Sequence, residues 1–150
     1  MRVNAAFLAA GLALVGCDDP PPDPELATPL TTARTLLRAY HLHGLTEAQL
    51  KRRLRRGLTA SSDKPVDVAA QSKCFVDFDP DDMRSRSLAV FVVGTLAARQ
   101  DRLRESRSHD RGTIFVPDEM VIVLERTAAG WQILLEQSVP AAIRGHAPTL

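Results

Sequence analysis

Residues 113–133 read TIFVPDEMVIVLERTAAGWQI, and their reading decides the fold. Thr113–Val116 and Met120–Glu125 are short apolar runs rich in β-branched residues, which favour extended backbone. They form either a strand pair or one strand broken at Pro117, where the missing N–H donor demands a bulge or an edge. Between Leu124 and Trp131 the segment Glu-Arg-Thr-Ala-Ala-Gly is short and ends in glycine, which takes positive φ cheaply. It reads as a hairpin connection. A last strand is expected over Trp131–Val139, with Trp131, Ile133, Leu135 and Val139 on one face.

Upstream of this segment, Cys74–Phe78 is a short strand candidate. Leu88–Ala98 is nearly all apolar and rich in Val and Phe, the pattern of a strand covered on both faces. Arg99–Arg111 is highly charged and reads as strand ends splayed around an exposed loop. Further upstream the period changes to that of helices. Thr28-Pro29 supplies an N-cap and a proline at the first helical position, and Ala33, Leu36, Leu37 and Tyr40 share one helical face. Gly44 should end or bend this helix. Thr46 and Gln49 make a capping box for a second helix, with Leu45 and Leu50 as its staple. Leu50 and Leu54 continue its apolar face until Gly57. Thr59–Pro65 reads as a loop. Helices followed by antiparallel strands define an α+β class: N-terminal helices packed on a curved antiparallel sheet of about four strands.

The chain has 150 residues, 45% hydrophobic and 25% charged, with a formal charge of +1. That balance excludes a wholly disordered chain and a multi-span membrane protein. It also gives no global field for gathering nucleic acid, so no nucleic-acid partner is expected.

The first seventeen residues speak to location. Arg2 is followed by Ala5–Val15, a run without charge or proline. This run is shorter than the ~20 residues a spanning helix needs but long enough for a signal-peptide core. It ends in Leu14-Val15-Gly16-Cys17, which resembles the bacterial lipobox. The resemblance implies a cleaved signal peptide over 1–16, acylation of Cys17 and an exported protein anchored in the bacterial envelope by lipid. Asp18–Pro24 reads DDPPPDP, a stiff polyproline-like stretch. Residues 17–27 are therefore expected to form a lipidated tether, 28–140 one domain and 141–150 a tail. Cys74 is then a single free thiol beside Phe75 and Val76, and burial is expected.

A helix pair, a strand meander and the final Gly130-Trp131-Gln132-Ile133 are similar to the nuclear-transport-factor-like, or ketosteroid-isomerase-like, cone fold. That resemblance implies a pocket between sheet and helices. An isomerase or dehydratase of this kind needs a carboxylate base and a tyrosine facing the pocket; the chain's one tyrosine, Tyr40, is the pocket candidate. No nucleophile elbow or phosphate loop is present, so no catalytic residue is assigned and no cofactor is expected. His41 and His43 diverge by about 200° on a helix and cannot share one ion. Asp77, Asp79, Asp81 and Asp82 lack the glycine and glutamate of a calcium loop and read as a turn. No metal is expected.

The strongest charge feature is Lys51-Arg52-Arg53-Leu54-Arg55-Arg56. As an exposed helix face, Lys51, Arg52, Arg53, Arg55 and Arg56 would bind an anionic surface, either lipid head groups or an acidic envelope protein. The alternative is a solvated face balanced by the aspartates. The function expected is a lipid-anchored, non-enzymatic binding module. The alternatives are the small-pocket enzyme and a protein that offers an unbulged sheet edge to a partner.

Overall fold

The computed structural model describes residues 20–58 and 64–144. The signal segment, Cys17 and most of the Thr59–Pro65 loop lie outside the described residues. The architecture is α+β: helices precede a four-stranded antiparallel sheet of order β1-β2-β3-β4 that does not close on itself.

Helix α1 spans Pro29–Ala39. The Thr31 N–H donates to Thr28 Oγ1 at 3.1 Å while the Thr28 N–H donates to Thr31 Oγ1 at 2.7 Å, so two orphan donors satisfy each other's residues. The helix stops at Tyr40 and His41, whose φ is +57°. Gly44 therefore sits in the following loop and neither ends nor bends the helix. Helix α2 spans Glu47–Arg55 with the expected Thr46–Gln49 capping box, and Gly57 follows at φ +78°.

Four further α-helices lie beyond the two that the sequence spells out. Helix α3, Val68–Lys73, is capped by Asp67, which accepts the Ala70 N–H at 3.0 Å. Helix α4, Met83–Ala98, replaces the strand expected over Leu88–Ala98. A helix apolar on nearly all sides has no amphipathic period, and its valines favour the strand reading. Its 16 residues far exceed a usual strand. Asp82, accepting the Ser85 N–H at 2.8 Å, caps its start. Leu88, Val92 and Leu96 are buried one turn apart.

Cys74–Phe78 is likewise not a strand. Cys74 caps α3, and Phe75 makes one isolated parallel bridge with Ile133. The segment Arg99–Arg111 is more regular than expected: it contains β1, Arg104–Ser108, turning at His109-Asp110 into β2, Arg111–Val116. As the sheet edge, β1 has no apolar alternation, and its charged Arg104, Glu105 and Arg107 discourage pairing with another chain. β2 and β3, Met120–Arg126, are a strand pair flanking Pro117.

The last strand is shorter than expected. β4 is Trp131–Ile133, and the chain then turns into α5, Leu135–Ser138. Asp77 starts that helix by accepting the Leu135 and Glu136 N–H groups at 2.6 and 3.0 Å. Beyond β4 the β3 edge is completed differently: the Val123 N–H donates to Ser138 Oγ at 2.9 Å, and Val123 O accepts the Leu134 N–H. Leu135 and Val139 are still buried, as their spacing suggested. A final helix, α6, covers Ala141–Arg144.

The inner face of the sheet packs on α1. Thr32 Oγ1 donates to Trp131 O at 2.7 Å, and the Trp131 ring and Pro29 crowd Gly112 so closely that a Cβ there would stand 2.9 and 3.0 Å from them. The packed body begins upstream of Thr28. The Asp23 N–H donates to Ala129 O at 2.8 Å, Pro24–Leu26 forms a 3₁₀ turn, and Leu26 is buried. Lys73 binds both Asp23 and Glu25. Among the described residues, no helix is long and apolar enough to cross a membrane.

Candidate binding surface

The capping box fixes where α2 starts, and helical spacing then sorts its side chains. Leu50 and Leu54 fall on one side, one turn apart. Leu50 is buried, whereas Leu54 keeps 38% of its surface exposed. Lys51, Arg52, Arg55 and Arg56 are exposed and Arg53 is half-buried. Lys51 Nζ lies 2.7 Å from Glu47 Oε1, and this hydrogen bond holds the Glu47 carboxyl below its ordinary range.

The Leu50–Leu54 side faces the C-terminal end of α4 across a half-open hollow of about 560 Å³. Leu45, Leu50, Leu54 and Ala97 supply apolar lining, Lys51, Arg99 and Arg102 supply cations, and Glu47 and Asp101 supply carboxylates. Arg99 is held on two sides: its Nη1 donates to Ala98 O at 3.2 Å, and its Nη2 lies 3.6 Å from Glu119 Oε1. Its Nε is buried with no acceptor among the described residues. A buried donor left unpaired costs about 1–3 kcal/mol, more for a charged group. A second hollow adjoins the first, sharing Asp101 and Arg102 and reaching Phe115 and Pro117. Phe115 is 47% exposed, and its cross-strand partner Val121, outside that hollow, is 42% exposed.

The structure thus brings Arg99 and Arg102 to the basic helix. Both belong to the charged stretch Arg99–Arg111, expected as strand ends splayed around an exposed loop, and nothing local signals their contact with α2. The aspartate cluster is engaged elsewhere. Asp79 accepts the Asp81 N–H, Asp82 caps α4, and Asp77 caps α5. The expected turn over Asp79–Asp82 is present.

Tyr40 is buried on α1's inner side, and its hydroxyl accepts a hydrogen bond from Gln71 Nε2 at 2.5 Å. Burial pushes its pKa up to about 12. It lines neither of the hollows above. Cys74 is buried as expected, its Sγ against Ala70 O at 3.2 Å, and burial raises its thiol to about 12. His41 and His43 are exposed, and His41 Nε2 lies 3.0 Å from Pro65 O. Among the described residues no group of three or more His, Cys, Asp or Glu side chains could hold a metal.

The surface has a definite position relative to the N-terminus. Asp23 and Leu26 dock on the β3–β4 turn at Ala129 and Gly130. Arg99 reaches Glu119 in the β2–β3 turn, at the other end of the same strands. The strand between these ends, Arg111–Val116, measures roughly 17 Å. The basic helix and the point where the N-terminal segment leaves the body are therefore at opposite ends of the sheet. Comparison with known proteins finds no matching family model, no matching curated protein and no matching solved structure.

Proposed function

We propose that this chain is a bacterial envelope lipoprotein, anchored through Cys17, whose body is a non-enzymatic binding module presenting the basic helix α2 to an acidic partner. The observation that carries the reading is the junction of three features between Leu14 and Leu26. Leu14-Val15-Gly16-Cys17 resembles a lipobox, a proline-rich stretch follows it, and that stretch runs straight into the docked segment Asp23–Leu26.

The chain from Cys17 to Asp23 reaches about 20 Å at most, even fully extended. That reach is no shorter than the roughly 17 Å of the sheet, so the body can turn α2 toward either the anionic head groups of the anchoring membrane or an acidic envelope protein.

Detergent-phase partitioning tests the anchor. Wild type should partition with membranes and detergent, and Cys17→Ser should remain aqueous. Equal solubility of the two overturns the anchor.

A further inference from the structure

We infer that the open side of α4 is an interface between two copies of this chain, packed antiparallel with Gly94 at the crossing. The inference goes beyond the binding-module reading and depends on neither the lipid anchor nor the basic helix.

α4 is apolar toward solvent as well as toward the core. At about 100° per residue, Met83, Ser87, Val90, Phe91, Gly94 and Ala98 share one arc of the helix. No charge interrupts that arc. Met83, Ser87 and Ala98 are exposed, and Val90, Phe91 and Gly94 are half-buried. A helix apolar on all sides is ordinarily covered on all sides, yet Met83 keeps 44% of its surface open. Gly94 is the sharper observation. A Cβ there would meet nothing within 4 Å, so packing within one copy does not call for glycine. A glycine inside a helix weakens it relative to alanine. What it offers in return is close approach of another backbone.

The occupant that fits this face is the face itself. Met83, Val90 and Phe91 make its N-terminal half large, and Gly94 and Ala98 make its C-terminal half small. A two-fold axis at Gly94 sets Val90 of each copy against Ala98 of the other. It also lays the C-terminal turn of each helix in the partner's shallow hollow at Met83, Arg86, Ser87 and Val90. Leu54, 38% exposed beside Ala98, extends the apolar surface.

The rim charges obey the same symmetry. Arg86 stands near the start of α4 and Asp101 just past its end, each of the sign that the helix dipole disfavours. Among the described residues neither side chain has a hydrogen-bond or ion-pair partner. They lie eight and seven residues from Gly94 on opposite sides, so each Arg86 meets the partner's Asp101. Arg102, next to Asp101, comes to the end of the partner's helix where Asp81 and Asp82 stand.

The test is sedimentation equilibrium of the full chain in neutral detergent, with micelles in large excess over protein. Wild type should sediment as a monomer–dimer equilibrium. Gly94→Leu should weaken the dimer about tenfold or more. Its melting temperature, taken at dilutions where wild type is monomeric, should not fall, because the new side chain enters open space. Arg86→Asp and Asp101→Arg should each weaken the dimer as well. An equimolar mixture of those two chains should dimerise as wild type does, because only the mixed pair sets opposite charges at both contacts.

Wild type that stays monomeric at the highest concentration reached overturns the inference, and so does a dimer indifferent to Gly94→Leu. If Gly94→Leu lowers the melting temperature, the two exposed charge reversals decide. A mixture that associates no better than its components overturns the antiparallel pairing.

Discussion

The backbone carbonyl of Leu26 lies 2.6 Å from where a Cβ on Gly130 would stand. Gly130 also has a φ of +134°, a conformation L side chains rarely adopt. The β3–β4 turn therefore admits the N-terminal segment only while residue 130 is glycine. Gly130→Ala should cost about 2 kcal/mol or more, from backbone strain and displacement of Leu26. Denaturant melts of the two proteins check this. A loss below about 0.5 kcal/mol, the usual limit of a neutral substitution, would show that the segment does not pack as described. Leu26→Ala, which empties a buried site, should cost about 2–5 kcal/mol.

The same segment carries a pH dependence. The Glu25 N–H, and then Lys73, hold Asp23 below its usual pKa of 3.8. A depressed carboxylate stabilises the fold above its unfolded pKa, and that contribution is lost as pH falls through the folded value. Lys73 is raised above its usual 10.5, chiefly by Glu25. Its contribution is therefore complete below 10.5 and fades only as pH rises past the raised value. Stability from this cluster should be level through neutral pH, fall below 3.8 and decline again above 10.5. These groups are a third or more exposed, so each pair contributes no more than about 1 kcal/mol. Lys73→Met should shrink the acid limb in melts taken across pH.

Which parts of this were legible follows from how local their causes are. α1 is written in the Thr28 cap, Pro29 and the apolar face that follows, α2 in the Thr46–Gln49 capping box, and the β2–β3 pair in two apolar runs around Pro117. α4 is hidden in the sequence because its half-buried side, with Val90 and Phe91, is as apolar as its buried face, which erases the helical period and leaves only β-branched content to judge by. β4 was overextended because the group that starts α5, the Asp77 carboxylate, lies far away in sequence. The docking of Leu26 on Gly130 spans a still wider gap. The meeting of Arg99 with α2 also joins distant segments: the basic run was visible, but the hollow beside it exists only once α4 is a helix.

Tyr40 offers a direct check on the core, because it is the only tyrosine in the chain. Its hydroxyl is buried and bonded to Gln71 Nε2. Phenolate absorbance during alkaline titration of the folded protein should rise near pH 12, against the usual 10. Denatured protein should titrate at the usual value. Tyr40→Phe would leave the buried Gln71 amide without this acceptor and should cost about 1–3 kcal/mol. Titration of native Tyr40 at its usual pKa would show instead that the hydroxyl reaches solvent, as a pocket residue would.

Cys74 should be chemically silent in the native state. The thiolate is the reactive form of cysteine, and burial at Cys74 raises the thiol to about 12, so almost none is ionised at neutral pH. Access is blocked as well, since the side chain is fully buried between α1 and α3, near Thr32 O and Ala70 O. In a Cys17→Ser chain, Cys74 is the only thiol left. Disulfide-exchange labelling of that chain should therefore be negligible without denaturant and should become complete as the fold opens. Its rate should track unfolding across a denaturant series, because modification requires the opened state. Labelling that is fast in native buffer and insensitive to denaturant would mean that α3 detaches from α1 readily, and would place Cys74 at a mobile edge of the fold instead of its core.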